Sequence, residues 1–355
     1  MSPSFGLFRS KNTNSTVPEW LSSRSNRKSV QRALQQRENT RHSIRALYMR
    51  GSEPPQELPR EVYEHYATAA SCTPQNSRKN RYVDIAPYDR TLVTFGSERY
   101  LNADWCLERY GKKYWIAAQA TLPHTSHAFL SLLTAPISIP NGPSTRIRTV
   151  VQLTQLVENG RRKADAYFPS EVGQAVLQRP EPGYSGPPIV ATLVERVDLP
   201  EACCIKSTVS LSFQDSNEAA VSFQHLLFTS WPDHGVPELQ EQKHLMEFIQ
   251  LVDKTNRNSS DDPDPPIVVG CSAGVGRTGT FIAVSSLLRA HGFLPPPSHP
   301  STLDLVSPLG PLPHEEDEVA QEVDWLREQR PGMVQQQSQL ELIYSLLESA
   351  FATEI

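Results

Sequence analysis

The sequence lacks any run approaching eighteen consecutive apolar residues, and its opening, MSPSFGLFRSKN, lacks an apolar core of signal-peptide length. It therefore reads as neither membrane-spanning nor secreted, a chain of the cytoplasm and, by extension, the nucleus. Paired cysteines are missing as well. The five present (Cys72, Cys106, Cys203, Cys204 and Cys271) are scattered without CxxC spacing, and the ten histidines form no HxxxH or HxH cluster. Neither a disulfide framework nor a zinc site is implied, and no metal or cofactor is called for. Acidic residues are nearly absent from positions 1–50, which hold ten basic and two acidic residues. With a net charge of −5, that leaves +8 in the head and −13 in the remainder. A basic head attracts acidic partners, but the acidic remainder argues against nucleic acid as the ligand of the folded part.

What is present is ordinary globular material: 355 residues, 38% hydrophobic and 21% charged, enough for one large or two ordinary domains. Residues 1–28, rich in Ser, Asn, Arg and Lys, are expected to form a disordered basic tail. Val30, Ala33, Leu34, Ile44, Leu47 and Tyr48 recur at helical spacing before Gly51, which predicts a helix over 29–50. A second helix is predicted over 58–70. The runs 149–157, 188–197, 208–213 and 265–270 read as strands, and helices are predicted from Thr278 to about Arg289, over 315–329 and over 335–351. The fold class is therefore α/β (α+β), a mixed sheet flanked by helices. Thirty prolines are above the usual share. Seven of them fall between Pro295 and Pro313, which marks 293–316 as a surface insertion.

The strongest local signal is Gly270-Cys271-Ser272-Ala273-Gly274-Val275-Gly276-Arg277-Thr278-Gly279-Thr280, set between an apolar strand and an apolar helix. Small residues let such a loop curl until its backbone N–H groups converge, forming an anion nest at a helix N-terminus. A free thiol is only about 3% ionised at pH 7, and the nest, the helix dipole and the Arg277 guanidinium all favour the thiolate. Arg277 offers a planar fork for two phosphoryl oxygens, and Thr278 can donate its hydroxyl to the sulfur. The chemistry indicated is phosphoryl transfer to cysteine. A nucleotide-binding loop fails the pattern, because Cys271 stands at its first Gly position and Arg277 at its Lys position.

This loop resembles the signature of the cysteine-dependent protein tyrosine phosphatases, in the style of non-receptor, fungal-like members. The resemblance runs from about Pro59 to the C-terminus and implies that family's twisted mixed sheet in one domain over 29–355. Trp231-Pro232-Asp233-His234-Gly235-Val236-Pro237 is similar to the family's mobile acid loop, which makes Asp233 the general acid and Trp231 a supporting residue. Alone, Trp-Pro-Asp is only a turn. Lys79-Asn80-Arg81-Tyr82-Val83-Asp84-Ile85 is similar to the phosphotyrosine-recognition loop. There Tyr82 would stack on the substrate ring and Asp84 would accept substrate main-chain N–H groups.

Arg330-Pro331-Gly332-Met333-Val334-Gln335-Gln336-Gln337-Ser338-Gln339 resembles the glutamine loop that orients hydrolytic water, with Gln335 and Gln339 at its two glutamine positions. Glu158 matches a carboxylate that steadies the loop arginine, and Lys163 a lysine that meets the acid loop. Ser272, Ala273, Gly274, Val275 and Gly276 would bind the phosphoryl oxygens. Three departures stand out: Gly270 for the usual His, Gln336 for the usual Thr, and Ala120-Thr121 for a usual Gly-Pro.

The resemblance implies a phosphatase acting on phosphotyrosine in proteins through a phosphocysteine intermediate. Gly270 motivates an alternative, a pseudophosphatase that binds phosphotyrosine without turnover. A phosphoinositide or dual-specificity phosphatase ranks third, since Ala273 and Val275 are neutral and Tyr82 walls the cleft. Arg41 and Arg45 followed by Leu47 and Met49 resemble docking peptides for MAP kinases. The same residues fit an amphipathic helix packed on its own domain.

Overall fold

The computed structural model describes residues 17–23, 26–96, 99–232, 235–257 and 263–353. At its centre lies a sheet of eight strands: β1 (Ala103–Leu107), β2 (Tyr114–Ala118), β3 (Thr149–Gln152), β4 (Ala175–Gln178), β5 (Ile189–Leu199), β6 (Cys204–Phe213), β7 (Val221–Phe228) and β8 (Ile267–Gly270). Their order is β1-β2-β8-β3-β7-β6-β5-β4. The four central strands are parallel, and antiparallel strands complete both edges. The run IVVG of β8 is apolar throughout because both sheet faces are covered. Ile267 and Val269 enter the cluster built with Phe248, Phe281 and Leu346, while Val268 enters the opposite one with Phe129 and Leu133.

Among the described residues six longer helices surround the sheet: α1 (Arg27–Arg50), α2 (Ser126–Thr134), α3 (Leu239–Asn256), α4 (Gly276–Ala290), α5 (Glu318–Gln329) and α6 (Gln337–Thr353). The predicted mixed sheet and the predicted α1, α4, α5 and α6 are all found, with bounds shifted by a few residues. The predicted helix 58–70 breaks in two, Arg60–His65 and Ala69–Cys72, because the Asp89 carboxylate accepts the Ala69 and Ala70 N–H groups and starts a second N-terminus there. The predicted strand 149–157 stops at Gln152. Beyond it the chain turns, and Val157–Glu158 pairs with Arg161–Arg162 instead.

The expected disordered tail begins to be ordered well before residue 28. Residues 1–16 lie outside the described residues, but a helical turn spans Glu19–Ser22 with Leu21 fully buried. Arg27, the first residue of α1, lies 4.3 Å over the Tyr344 ring and pairs with Glu341 and Glu348 of α6. One large apolar side chain and one multiply paired arginine hold this segment against the domain. The two arginines of the kinase-docking expectation are likewise placed inside the fold. Arg41 is wholly buried between Asp324 and Glu328, and Arg45 is buried against Glu38 and Tyr88, so neither guanidinium is offered to a partner.

Residues 293–316 contain neither helix nor strand, as expected, yet they are pinned. Leu294 and Leu312 are buried, and Arg37 donates to the Leu309 carbonyl and the Ser307 hydroxyl.

Candidate active site

The loop that follows β8 leaves the sheet at the carboxyl ends of its parallel strands, where open α/β sheets present their ligand crevices. It delivers Cys271 to the N-terminus of α4. Cys271 is 6% exposed. Burial is the largest influence on its thiol and pushes the pKa up, but the Thr278 hydroxyl, the Arg277 charge and the N–H groups of Thr278 and Val275 together outweigh it. The net result is a thiol held below its ordinary value. The Thr278 hydroxyl is buried without a formed hydrogen bond among the described residues, and its influence on the neighbouring sulfur favours the charged form.

Arg277 is oriented from three sides. Its Nη1 donates to Glu158 Oε1 (2.7 Å) and the Leu153 carbonyl (2.9 Å), and its Nη2 to Glu158 Oε2 (2.9 Å) and the Pro232 carbonyl (2.8 Å). The turn that ends β3 explains why Glu158 is there: its Oε1 accepts the Thr154 hydroxyl (2.8 Å) and the Gln155 N–H (3.1 Å), folding the chain back toward the loop. Pro232 belongs to the expected acid loop, so that loop is tied to the arginine by its backbone. Trp231 is buried and packs edge-on to Phe228. Asp233 and His234 lie outside the described residues.

The opposite wall comes from residues 79–85. The half-buried Tyr82 shares a 2.8 Å hydrogen bond between its hydroxyl and that of Ser272, which in turn donates to the Lys163 carbonyl (2.7 Å). Asp84 is exposed at the rim. Arg81 fixes this wall: its N–H donates to Gln119 Oε1 (2.8 Å), and its guanidinium to the Ala120 carbonyl (3.2 Å), the Thr121 carbonyl and Asp165 (2.6 Å). The departure at Ala120-Thr121 is built into this seam, since the Ala120 N–H donates to the Ser272 carbonyl (3.0 Å) and the Thr121 hydroxyl to the Asp165 carbonyl (3.2 Å).

The departure at Gly270 also has a cause. A Cβ there would lie 2.7 Å from the Ala118 carbonyl oxygen, inside any real contact, and the same oxygen crowds Gly274, whose φ is +72°. The strand β2 therefore approaches the loop so closely that glycine is required at both positions.

Gln335 is exposed at the end of the glutamine loop, whereas Gln339 is buried against Gly276 and accepts the Gln336 N–H (3.1 Å). Sequence reasoning gave Arg330 no role. In the structure it is fully buried, donating to the Gly274 carbonyl (2.7 Å), Ala273 carbonyl (3.1 Å), Asp104 (2.7 Å) and Asn102 (2.7 Å), and so it braces the loop from behind. Arg327 was missed altogether. Nothing local distinguishes either residue from a solvated helix arginine, because their partners are 56 to 293 positions away or in an irregular turn.

A family model described as protein-tyrosine phosphatase matches residues 76–349. Among similar proteins, human tyrosine-protein phosphatase non-receptor type 18 is 27% identical over a stretch covering 81% of this chain and 54% of its own length. Receptor-type tyrosine-protein phosphatase eta of Gallus gallus is 35% identical over 64% of this chain, and the matched stretch is 15% of that relative. The catalytic domain of human protein tyrosine phosphatase non-receptor type 18 aligns with a TM-score of 0.59 at 25% identity, covering 80% of this chain and 88% of that one. This agrees with the fold predicted from the sequence. Among the described residues no helix is long and apolar enough to cross a membrane. With the family model matched across most of its length and the fold aligned to a solved catalytic domain, the chain belongs to the protein-tyrosine phosphatase family.

Proposed function

We propose that the protein hydrolyses phosphotyrosine in protein substrates. The Cys271 thiolate attacks phosphorus, forming an S–P bond as the P–O bond to tyrosine breaks, and Asp233 gives its proton to the departing phenolate. Water oriented by Gln335 then attacks the phosphocysteine, the S–P bond breaks, Asp233 takes the proton from water, and phosphate leaves. Arg277 lends its positive charge and a guanidinium donor to the phosphoryl oxygens in both steps. The observation that carries the reading is the lowered Cys271 thiol beside an arginine whose fork is already fixed by Glu158.

The pseudophosphatase alternative loses its motive, because Gly270 answers a steric demand of Ala118 and the thiol is lowered without a histidine. Tyr82, tied to Ser272, favours a deep cleft over the shallow one of a dual-specificity or phosphoinositide enzyme. All five cysteines are free, in keeping with a reducing compartment, and we place the enzyme in the cytoplasm, acting in signal transduction. Release of phosphate from a phosphotyrosine peptide, compared with the Cys271→Ser variant, tests the reading. No turnover above that variant refutes it, and comparable rates on phosphoserine refute tyrosine selectivity.

A further inference from the structure

Arg327 lies on the face of α5 turned toward α1, between two carboxylates one turn apart, Asp324 and Glu328. Those two are taken by arginines of α1: Arg37 meets Asp324 (2.9 Å), and Arg41 meets Asp324 (2.6 Å) and Glu328 (2.5 Å). Among the described residues Arg327 makes no such pair. Its guanidinium is buried among three backbone carbonyls: Nε donates to Met333 (2.8 Å), Nη2 to Val334 (2.7 Å) and Nη1 to Leu34 of α1 (3.1 Å). A buried arginine spent entirely on main-chain oxygens fixes backbone rather than charge.

The backbone it fixes is unusual. Val334 has φ of +56°, a left-handed conformation that a β-branched residue adopts only when its surroundings impose it. Val334 is held at both ends: its N–H donates to the Val275 carbonyl (3.2 Å) inside the signature loop, and its carbonyl accepts Arg327. The next residue is Gln335.

We infer that Arg327 is a positioning residue for the hydrolytic half of the reaction. By clamping the strained turn at Met333 and Val334 against Leu34 of α1, it sets where Gln335 presents its amide to water. The inference rests on the phosphatase reading above. It also gives α1 a purpose outside the stretch matched by the family model, which begins at residue 76. The helix is the wall against which Arg327 is seated, and it touches the far end of the same loop, where Gln31 Nε2 donates to Gln337 Oε1 (2.9 Å).

The kinetic signature separates this role from general support. Formation of phosphocysteine sets kcat/KM, whereas its hydrolysis enters only kcat, so a misaimed Gln335 lowers kcat and KM together and leaves their ratio alone. Full-length Arg327→Met and Arg327→Lys are assayed on a nitrophenyl phosphate, whose activated leaving group makes the first step fast. The expected result is a fall in kcat of about tenfold or more, within the ~100-fold that a 1 Å misplacement costs. An unchanged kcat/KM, a burst of one nitrophenolate per enzyme and a phosphate adduct trapped on Cys271 should accompany it, with the lysine variant the milder.

Burst amplitude counts the competent enzyme, so loss of fold is read separately from loss of aim. If Arg327→Met alone loses amplitude, Arg327→Lys decides. An unchanged kcat, or kcat and kcat/KM falling together in both variants without a burst, overturns the inference. Absence of turnover by the unsubstituted chain overturns the phosphatase reading instead.

Discussion

Replacing Thr278 by Val isolates one contribution to the reactive sulfur. The Thr278 hydroxyl is buried without a formed hydrogen bond among the described residues, and after burial itself it is the largest influence on the Cys271 thiol. Valine keeps the branched shape and strands no polar group, so the change removes the interaction with the sulfur and little else. A hydrogen bond to a charged group contributes about 1.5–3 kcal/mol, and one pKa unit corresponds to about 1.36 kcal/mol. The thiol pKa should therefore rise by roughly one to two units. Because the variant holds its proton to higher pH, the alkylation-rate profile with iodoacetamide should move upward in pH by that amount, and the acid limb of kcat/KM should follow. A midpoint within ~0.3 unit of the unsubstituted protein would show that the nest and Arg277 alone hold the charge, contrary to the reasoning.

Further outcomes follow from other parts of the molecule. Gly270→Ala forces a methyl to 2.7 Å from the Ala118 carbonyl and should cost about 1–3 kcal/mol, read as a lower denaturant midpoint; an unchanged midpoint would mean that β2 gives way freely. Leu21→Ala should destabilise by about 2 kcal/mol or more, whereas a truly disordered tail would give no change. His225 is buried against Gln152, and burial pushes its imidazole down from 6.5 to about 3. Below pH 6.5 the unfolded chain takes a proton that the native one refuses. Stability should therefore be full above that pH and fall by ~1.4 kcal/mol per unit toward pH 3 from this group. His225→Leu should flatten the acid limb by that slope, and an identical limb in the variant removes the assignment.

Much of the site was legible because its chemistry is local in sequence. The cysteine loop announces itself through residue types at short spacing, whereas the Tyr82 wall, the two glutamines and Glu158 were found through their resemblance to known family motifs. The sheet was legible for a similar reason: runs such as IVVG at 267–270 and the β-branched stretch of β5 carry their own periodicity. The misreadings lie where composition and burial disagree. Residues 17–28 look like a solvated charge run until Leu21 and Arg27 find α6, and Arg41 and Arg45 look like docking cations until Asp324 and Glu328 of α5 take the first and Glu38 and Tyr88 the second.

By itself the sequence determined the reactive loop and the strand and helix runs that announce a mixed sheet, since each rests on residue types a few positions apart, and the order of the supporting motifs came from their resemblance to the family. Only the tertiary structure decided why glycine stands at 270, which arginines brace the loop from behind, and what α1 is for. Those depend on a carbonyl of another strand, on backbone oxygens reached by buried guanidinium groups, and on a helix packed some three hundred positions away from its partners. Close approaches of that kind leave no local pattern, because the main-chain atoms that make them are the same in every residue.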